Sequence, residues 1–343
     1  MITKSAVLFK IKSPLKIINL KIPKLKKNQV VVKILYSGFC SSQYGEITGI
    51  KGKDDYLPHC LGHEACGMVV RKANNVKNLE VNDLVVCHWM KNHGKDCEKI
   101  EYNNTLNGAK INSGQITTFN TLSIISCNRL TKINKGKYKI KFLPLMGCSI
   151  PVAIATAEKI LKIKKNKNIL ILGAGALGLP IVHFCKILKL KFVDVLDHNK
   201  QSLDKAKAFG AKRLFKSVGP EIVNLLNKNQ YDYIVDTTGS SELLNKIVSF
   251  NINCKIAFLG VPKKNEKLKI NTLKINYGLK LLGSYGGGFN PEKDLIRYLN
   301  FLLKTKFPFK SYIFKTYKLS EINQLVKDYK DGKVIGKALI KMH

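Results

Sequence analysis

Four side chains able to ligate a metal fall in three separated stretches: Cys40 in "ILYSGFCSSQYGEITG", His63 and Glu64 in "LPHCLGHEACGMVV", and Cys148 in "LPLMGCSIPVAIATA". A thiolate, an imidazole and a carboxylate are all good zinc ligands, and a catalytic zinc takes three protein ligands while one position stays open. Cys148 is expected where the chain enters a second domain, at a helix N-terminus whose dipole favours the thiolate as a metal would. Cys40, His63 and Cys148 would then form a Cys-His-Cys set holding one zinc per chain. Taken singly each has a plainer role, since a buried cysteine behaves as a small hydrophobe and a lone histidine is usually structural. It is their order and surroundings that point to a site.

A second chemical signature lies in "NILILGAGALGLPIVHFCKIL", where Gly173, Gly175 and Gly178 keep G-x-G-x-x-G spacing between an apolar strand and an apolar-faced helix. The first glycine permits a tight turn, the second lets backbone approach a pyrophosphate, and the third allows close helix–strand packing. The helix N-terminus offers unpaired N–H groups to the same anion. Asp197 ends the next strand, 19 residues beyond Gly178, where a carboxylate would accept hydrogen bonds from an adenosine ribose. It would also repel a 2′-phosphate, which favours NAD over NADP, although His198 and Lys200 temper that preference. The plainer alternative is that Asp197 only caps the helix "NKQSLDKAKAFG".

Positioning these residues takes two kinds of element. From Ser5 to Leu35 short β runs ("AVLF", "KIINLKI", "QVVVKILY") are separated by Pro14, Pro23 and a lysine-asparagine turn, the pattern of antiparallel strands. From about Gly147 helix-length segments alternate with nearly all-apolar strands ("NILILG", "KFVDVLD", "YDYIVDTTG", "CKIAFLG"), as in a parallel sheet covered on both faces. A chain of 343 residues exceeds what one core usually supports. The expectation is α/β plus β: a β domain over 1–144, a doubly wound domain over 145–285, and a C-terminal segment, 286–343, that returns to complete the first.

Composition narrows the class. The net charge of +36 would suit a nucleic-acid or anionic-membrane partner, but only four of the 59 basic residues are arginine and the lysines are scattered through every element. Readers of nucleic acid lean on arginine for bidentate contacts, so a lysine-rich solvated surface is the favoured reading. Nine cysteines at irregular spacing describe no disulfide framework and fit a reducing compartment. No run approaches the length needed to cross a bilayer and "MITKSAVLFK" is strand-like instead of a signal sequence, so a cytoplasmic location and no membrane partner are expected.

With these motifs in order the chain resembles a zinc-dependent alcohol dehydrogenase of the medium-chain dehydrogenase/reductase superfamily, nearly end to end. The likeness rests on "GFCSSQ", "GHEACGMVV", "VNDLVV", "MGCSIPVAIATA" and "GAGALG" followed by Asp197. It implies a GroES-like β domain completed by the C-terminal segment, a Rossmann NAD-binding domain, and hydride transfer between a small alcohol or carbonyl compound and NAD(H), with zinc polarising the substrate oxygen. By resemblance Cys40, His63 and Cys148 are the catalytic zinc ligands, Glu64 a carboxylate able to approach the metal, and Ser42 the hydroxyl that relays the alcohol proton. Asp83 would support the zinc surroundings, and Trp89 would line the substrate pocket or simply pack in a core. Lys91, Lys95 and Lys99 beside Trp89 would suit phosphorylated or nucleotide-linked polyols. A homodimer or homotetramer is implied, built through the edge strand "KLLGSYGG".

Three departures qualify the likeness. Gln43 stands where an aspartate often orients the ligand histidine, weakening that support. Gly45 stands where some members carry a histidine that ends the proton relay. The lobe with four close cysteines for a structural zinc is absent, and Cys87, His88, His93 and Cys97 have gaps unlike a zinc finger. Two rivals stay open: a zinc-independent enone or quinone reductase of the same superfamily, and a non-enzymatic nucleotide or nucleic-acid binder supported by charge alone.

Overall fold

Runs of β-branched residues build the first unit of the computed structural model, which describes residues 1–250 and 252–343. That unit comprises Met1–Ser149, Asn290–Leu299 and Ile313–His343. Its strands are β1 (Ile2–Leu8), β2 (Lys16–Lys21), β3 (Gln29–Phe39), β4 (His59–Cys60), β5 (Ala65–Lys72), β6 (Leu84–Cys87), β7 (Ile100–Asn104), β8 (Lys110–Gly114), β9 (Leu122–Ser126) and β10 (Leu130–Ile133). The second unit, Ile150–Phe289 with Asn300–Tyr312, contributes β11 (Asn168–Leu172), β12 (Phe192–Leu196), β13 (Arg213–Phe215), β14 (Tyr233–Asp236), β15 (Lys255–Phe258) and β16 (Lys280–Gly283). The chain then returns to the first unit with β17 (Ile313–Lys318) and β18 (Lys337–Lys341).

In the first unit β1-β2-β7-β8-β4 close into a barrel, and a seven-stranded sheet runs β10-β6-β5-β3-β18-β17 with β9 also on β3. Strand β3 is the hub. Its period-two alternation sends Val30, Val32 and Ile34 into one core cluster, with Phe39, Val85 and Phe119, and Val31 into another, with Val7, Leu20 and Tyr102. Strand β18 pairs antiparallel with β3 and parallel with β17, so the C-terminal segment completes the GroES-like β domain. The unit extends through Ser149, which places Cys148 with Cys40 and His63, while Asn300–Tyr312 groups with the second unit.

The second unit is a Rossmann domain. Six strands lie parallel in the order β13-β12-β11-β14-β15-β16, the 3-2-1-4-5-6 arrangement of dinucleotide-binding sheets. Its central strands are buried almost throughout because helices cover both faces, which is why their sequences are continuous apolar runs. Among the described residues no single helix is long and apolar enough to cross a membrane.

Candidate metal and dinucleotide sites

Strand β3 delivers Cys40 directly to the N-cap of helix α1 (Ser41–Thr48), where its backbone is extended. The loop between β4 and β5 presents His63 and Glu64. Cys148 follows the 3₁₀ segment Ile140–Met146 and immediately precedes helix α2 (Ser149–Ala155). These three approaches converge: ligand atoms of Cys40, His63, Glu64 and Cys148 all lie within 4.8 Å of one another. Among the described residues no other group of three or more His, Cys, Asp or Glu side chains does so. Cys40 and His63 are half-buried while Glu64 and Cys148 are buried.

Protonation within the cluster follows from that crowding. The hydrogen bond between the two sulfurs holds Cys40 well below the ordinary thiol range, helped by Lys337 and His63 against the effect of burial. The same bond, together with burial, pushes Cys148 up. Burial alone would lower His63, but its interaction with the Cys40 thiolate outweighs that and the net shift is upward. Burial raises Glu64, and the Lys337 ammonium partly offsets it.

The donor set fits zinc. Soft thiolates with a borderline imidazole are donors that a borderline ion such as zinc accepts, and zinc tolerates a harder carboxylate beside them; His63 Nε2 is buried with no hydrogen-bond partner among the described residues. The opposite ring nitrogen is anchored: the Gln43 amide lies 2.8 Å from His63 Nδ1. The amide nitrogen faces Nδ1 while Oε1 accepts from Ser42; ligation through Nε2 calls for the amide turned end for end, with Oε1 accepting from Nδ1–H, a reversal a carboxamide allows within the same shape. Ser42 is half-buried in the first turn of α1 and its hydroxyl donates to Gln43 Oε1 at 3.4 Å.

Other expected residues fall elsewhere. Asp83 accepts from the Lys132 ammonium at 2.8 Å and from the Glu80 N–H at 2.8 Å, stabilising the turn into β6. Trp89 is half-buried and donates its backbone N–H to the Gly147 carbonyl at 3.3 Å. His88 spends both ring nitrogens on the Met90 carbonyl, 2.5 Å, and the Thr131 hydroxyl, 3.0 Å, and His93 is exposed near Glu292, so Cys87, His88, His93 and Cys97 form no cluster. Within the first unit a cavity of about 630 Å³ opens beside Gln43 and His63, its wall mixing apolar groups such as Leu61 and Ile116 with polar ones such as Asp54, His59 and Thr117. Gly45 and Lys99 line it; Trp89 does not.

Sequence reasoning missed Lys337. It heads β18, is 1% exposed, and forms an ion pair with the fully buried Glu64. The signal was a lysine opening the apolar run over 338–340, drowned by lysines everywhere else.

In the second unit the glycine turn links β11 to helix α3 (Gly178–Ile187). Gly173 has φ +94°, and a Cβ on Gly178 would overlap the Gly173 carbonyl, whereas a Cβ on Gly175 would meet nothing within 4 Å. The first and third glycines are thus set by turn and packing, and the second faces open space. Asp197 follows β12; one carboxylate oxygen accepts the Ala174 N–H and the other the Asn199 N–H, each at 2.8 Å. The cap of helix α4 (Lys200–Phe209) is Asn199, whose side chain accepts from Gln201 and Ser202. The capping alternative for Asp197 is therefore excluded.

Comparison with known proteins agrees with this geometry. Residues 26–135 match the family model described as "Alcohol dehydrogenase GroES-like domain" and residues 176–303 that described as "Zinc-binding dehydrogenase". The chain is 23% identical to "Alcohol dehydrogenase-like 3" of Arabidopsis thaliana, over 96% of this chain and 94% of that protein. Among solved structures it resembles an "Alcohol dehydrogenase zinc-binding domain protein" from Burkholderia ambifaria, TM-score 0.90 at 20% identity, over 100% of this chain and 99% of that one. It also resembles benzyl alcohol dehydrogenase from Acinetobacter calcoaceticus, TM-score 0.87 at 24% identity over the whole of both chains.

Proposed function

The chain belongs to the zinc-type alcohol dehydrogenases of the medium-chain dehydrogenase/reductase superfamily, and from that premise we propose that it moves hydride between an alcohol, or its aldehyde or ketone, and NAD(H), with one zinc held by Cys40, His63 and Cys148. The convergence of those donors within 4.8 Å carries the reading. A zinc-independent reductase would need no such set, and nucleic-acid binding rests on charge alone.

Zinc would supply Lewis-acid polarisation of a substrate oxygen and the nicotinamide would supply the hydride-accepting carbon. The chain's own residues do the rest. Cys40 and Cys148 contribute negative charge, the first favoured as thiolate by the N-terminus of α1 and the bond from the second. Gln43, with its amide turned so that Oε1 accepts from Nδ1–H, would fix the His63 ring and leave Nε2 unprotonated toward the donor set. Ser42 Oγ, adjacent to Gln43, is the hydroxyl we assign to carrying the substrate proton away. In the second unit the open face of Gly175 and the N-terminus of α3 would take the pyrophosphate. Asp197 would take the ribose and disfavour a 2′-phosphate.

The test is metal content measured alongside NAD reduction over a panel of alcohols. One zinc per chain, lost together with turnover in Cys148→Ser, is expected. A folded chain that retains no zinc when supplied with it, or whose alcohol oxidation survives Cys148→Ser unchanged, overturns the reading.

A further inference from the structure

Glu64 and Lys337 pose a question that three zinc ligands leave unanswered. Lys337 is 1% exposed and Glu64 0%, and neither charge is tolerable there alone, because an uncompensated buried ion is strongly destabilising. Yet a Glu64 carboxylate oxygen also lies within 4.8 Å of the ligand atoms of Cys40, His63 and Cys148. Its freedom to leave is small: a Cβ on Gly38 would come within 2.7 Å of Glu64 Cδ, and one on Gly147 within 2.7 Å of Glu64 Cβ. The backbone presses on the side chain from two directions, so the carboxylate serves either the ammonium or the donor set.

Four protein donors around zinc make a closed structural site, whereas three leave the open position that catalysis needs. Charge favours the second arrangement. Two thiolates and a carboxylate carry three negative charges, and a divalent ion with one lysine carries three positive. Without the lysine the carboxylate has only the metal to turn to.

We propose that Lys337 is a positioning residue that holds the Glu64 carboxylate out of the metal's fourth position and so keeps the Cys-His-Cys site open. This rests on the metal reading above. Lys337 opens β18 next to Ala338, which pairs with Phe39 at the end of β3, and Cys40 directly follows Phe39, so the same sheet places the ammonium and the ligand.

The test loads the full-length chain and three variants with cobalt(II), whose visible spectrum reports coordination directly, and separately follows zinc loss to a chelator. Glu64→Gln alone should leave the cobalt spectrum as in the unsubstituted chain, because Glu64 is no ligand there. Lys337→Met should shift that spectrum, abolish its response to added imidazole, and slow zinc loss about tenfold or more. The double variant Lys337→Met/Glu64→Gln, which buries neither charge, should recover the original spectrum and release rate. A spectrum altered by Glu64→Gln alone overturns the proposal whether or not Lys337→Met folds. An unchanged spectrum in folded Lys337→Met, or a change that persists in the double variant, does the same. Failure of the unsubstituted chain to take up cobalt overturns the metal reading and this proposal together, whereas normal uptake with an insensitive Lys337→Met overturns this proposal alone.

Discussion

Replacing Asp197 with serine separates two jobs that the structure gives to one carboxylate. Its oxygens accept the Ala174 and Asn199 N–H groups at 2.8 Å each, and its side chain is 11% exposed. Ala174 is fully buried, so no water replaces the lost acceptor and the glycine turn should lose about 1–3 kcal/mol. Asn199 is only half-buried, and solvent can take over its N–H. Cofactor binding should lose more. A hydrogen bond to a charged group is worth about 1.5–3 kcal/mol, which weakens NAD by roughly 10- to 100-fold. NADP loses the same bond but is relieved of repulsion, so its affinity should fall less or rise. Urea unfolding gives the first quantity, and titration of the folded variant with each dinucleotide gives the second. Equal weakening of NAD and NADP would refute the ribose assignment and leave Asp197 as a clamp on Ala174.

Two further outcomes can be measured without substrate. Burial, with the Arg129 charge, lowers His88 from 6.5 to about 4, so the folded protein keeps it neutral while the unfolded chain binds a proton below about 6.5. Stability should therefore fall as pH drops from 6.5 toward 4, at about 1.4 kcal/mol per pH unit from this residue. His88→Gln should flatten that slope in urea titrations, and an unchanged slope would show that His88 is not responsible. Strand β16 ends its sheet with Leu281 and Leu282 only partly covered, an edge of the kind that pairs with another copy. Sedimentation should give twice 38.5 kDa, favoured by salt because each chain carries +36, and Leu281→Lys should dissociate it. A monomer at every ionic strength removes β16 as an interface.

What could be read before the fold depended on whether a residue's neighbours in sequence are its neighbours in space. The strand–glycine–helix unit around Gly173 is local, so its turn, the close packing at Gly178 and Asp197 at the next strand end were all legible. Cys40, His63 and Cys148 are distant, but each sits in a short apolar setting that marks it. Gln43 was legible as a departure and not as a solution: that its amide still reaches His63 depends on one turn of α1, which spacing alone does not orient. Asn199 rather than Asp197 caps α4 because the cap is decided by backbone angles over two residues. Lys337 was invisible for a statistical reason, since a side chain buried against a carboxylate 273 positions earlier looks like any other lysine in a chain so rich in them.

The place of β18 between β3 and β17 has a consequence for the chain as it is made. Residues 36–39 of β3 and the Glu64 carboxylate gain their partners on β18 only when residues 337–341 have been made, long after Cys40, His63 and Cys148. A chain cut short before Lys337 would carry every metal-binding thiol and a sticky, unfinished sheet. Strand β18 is thus the element that seals this domain.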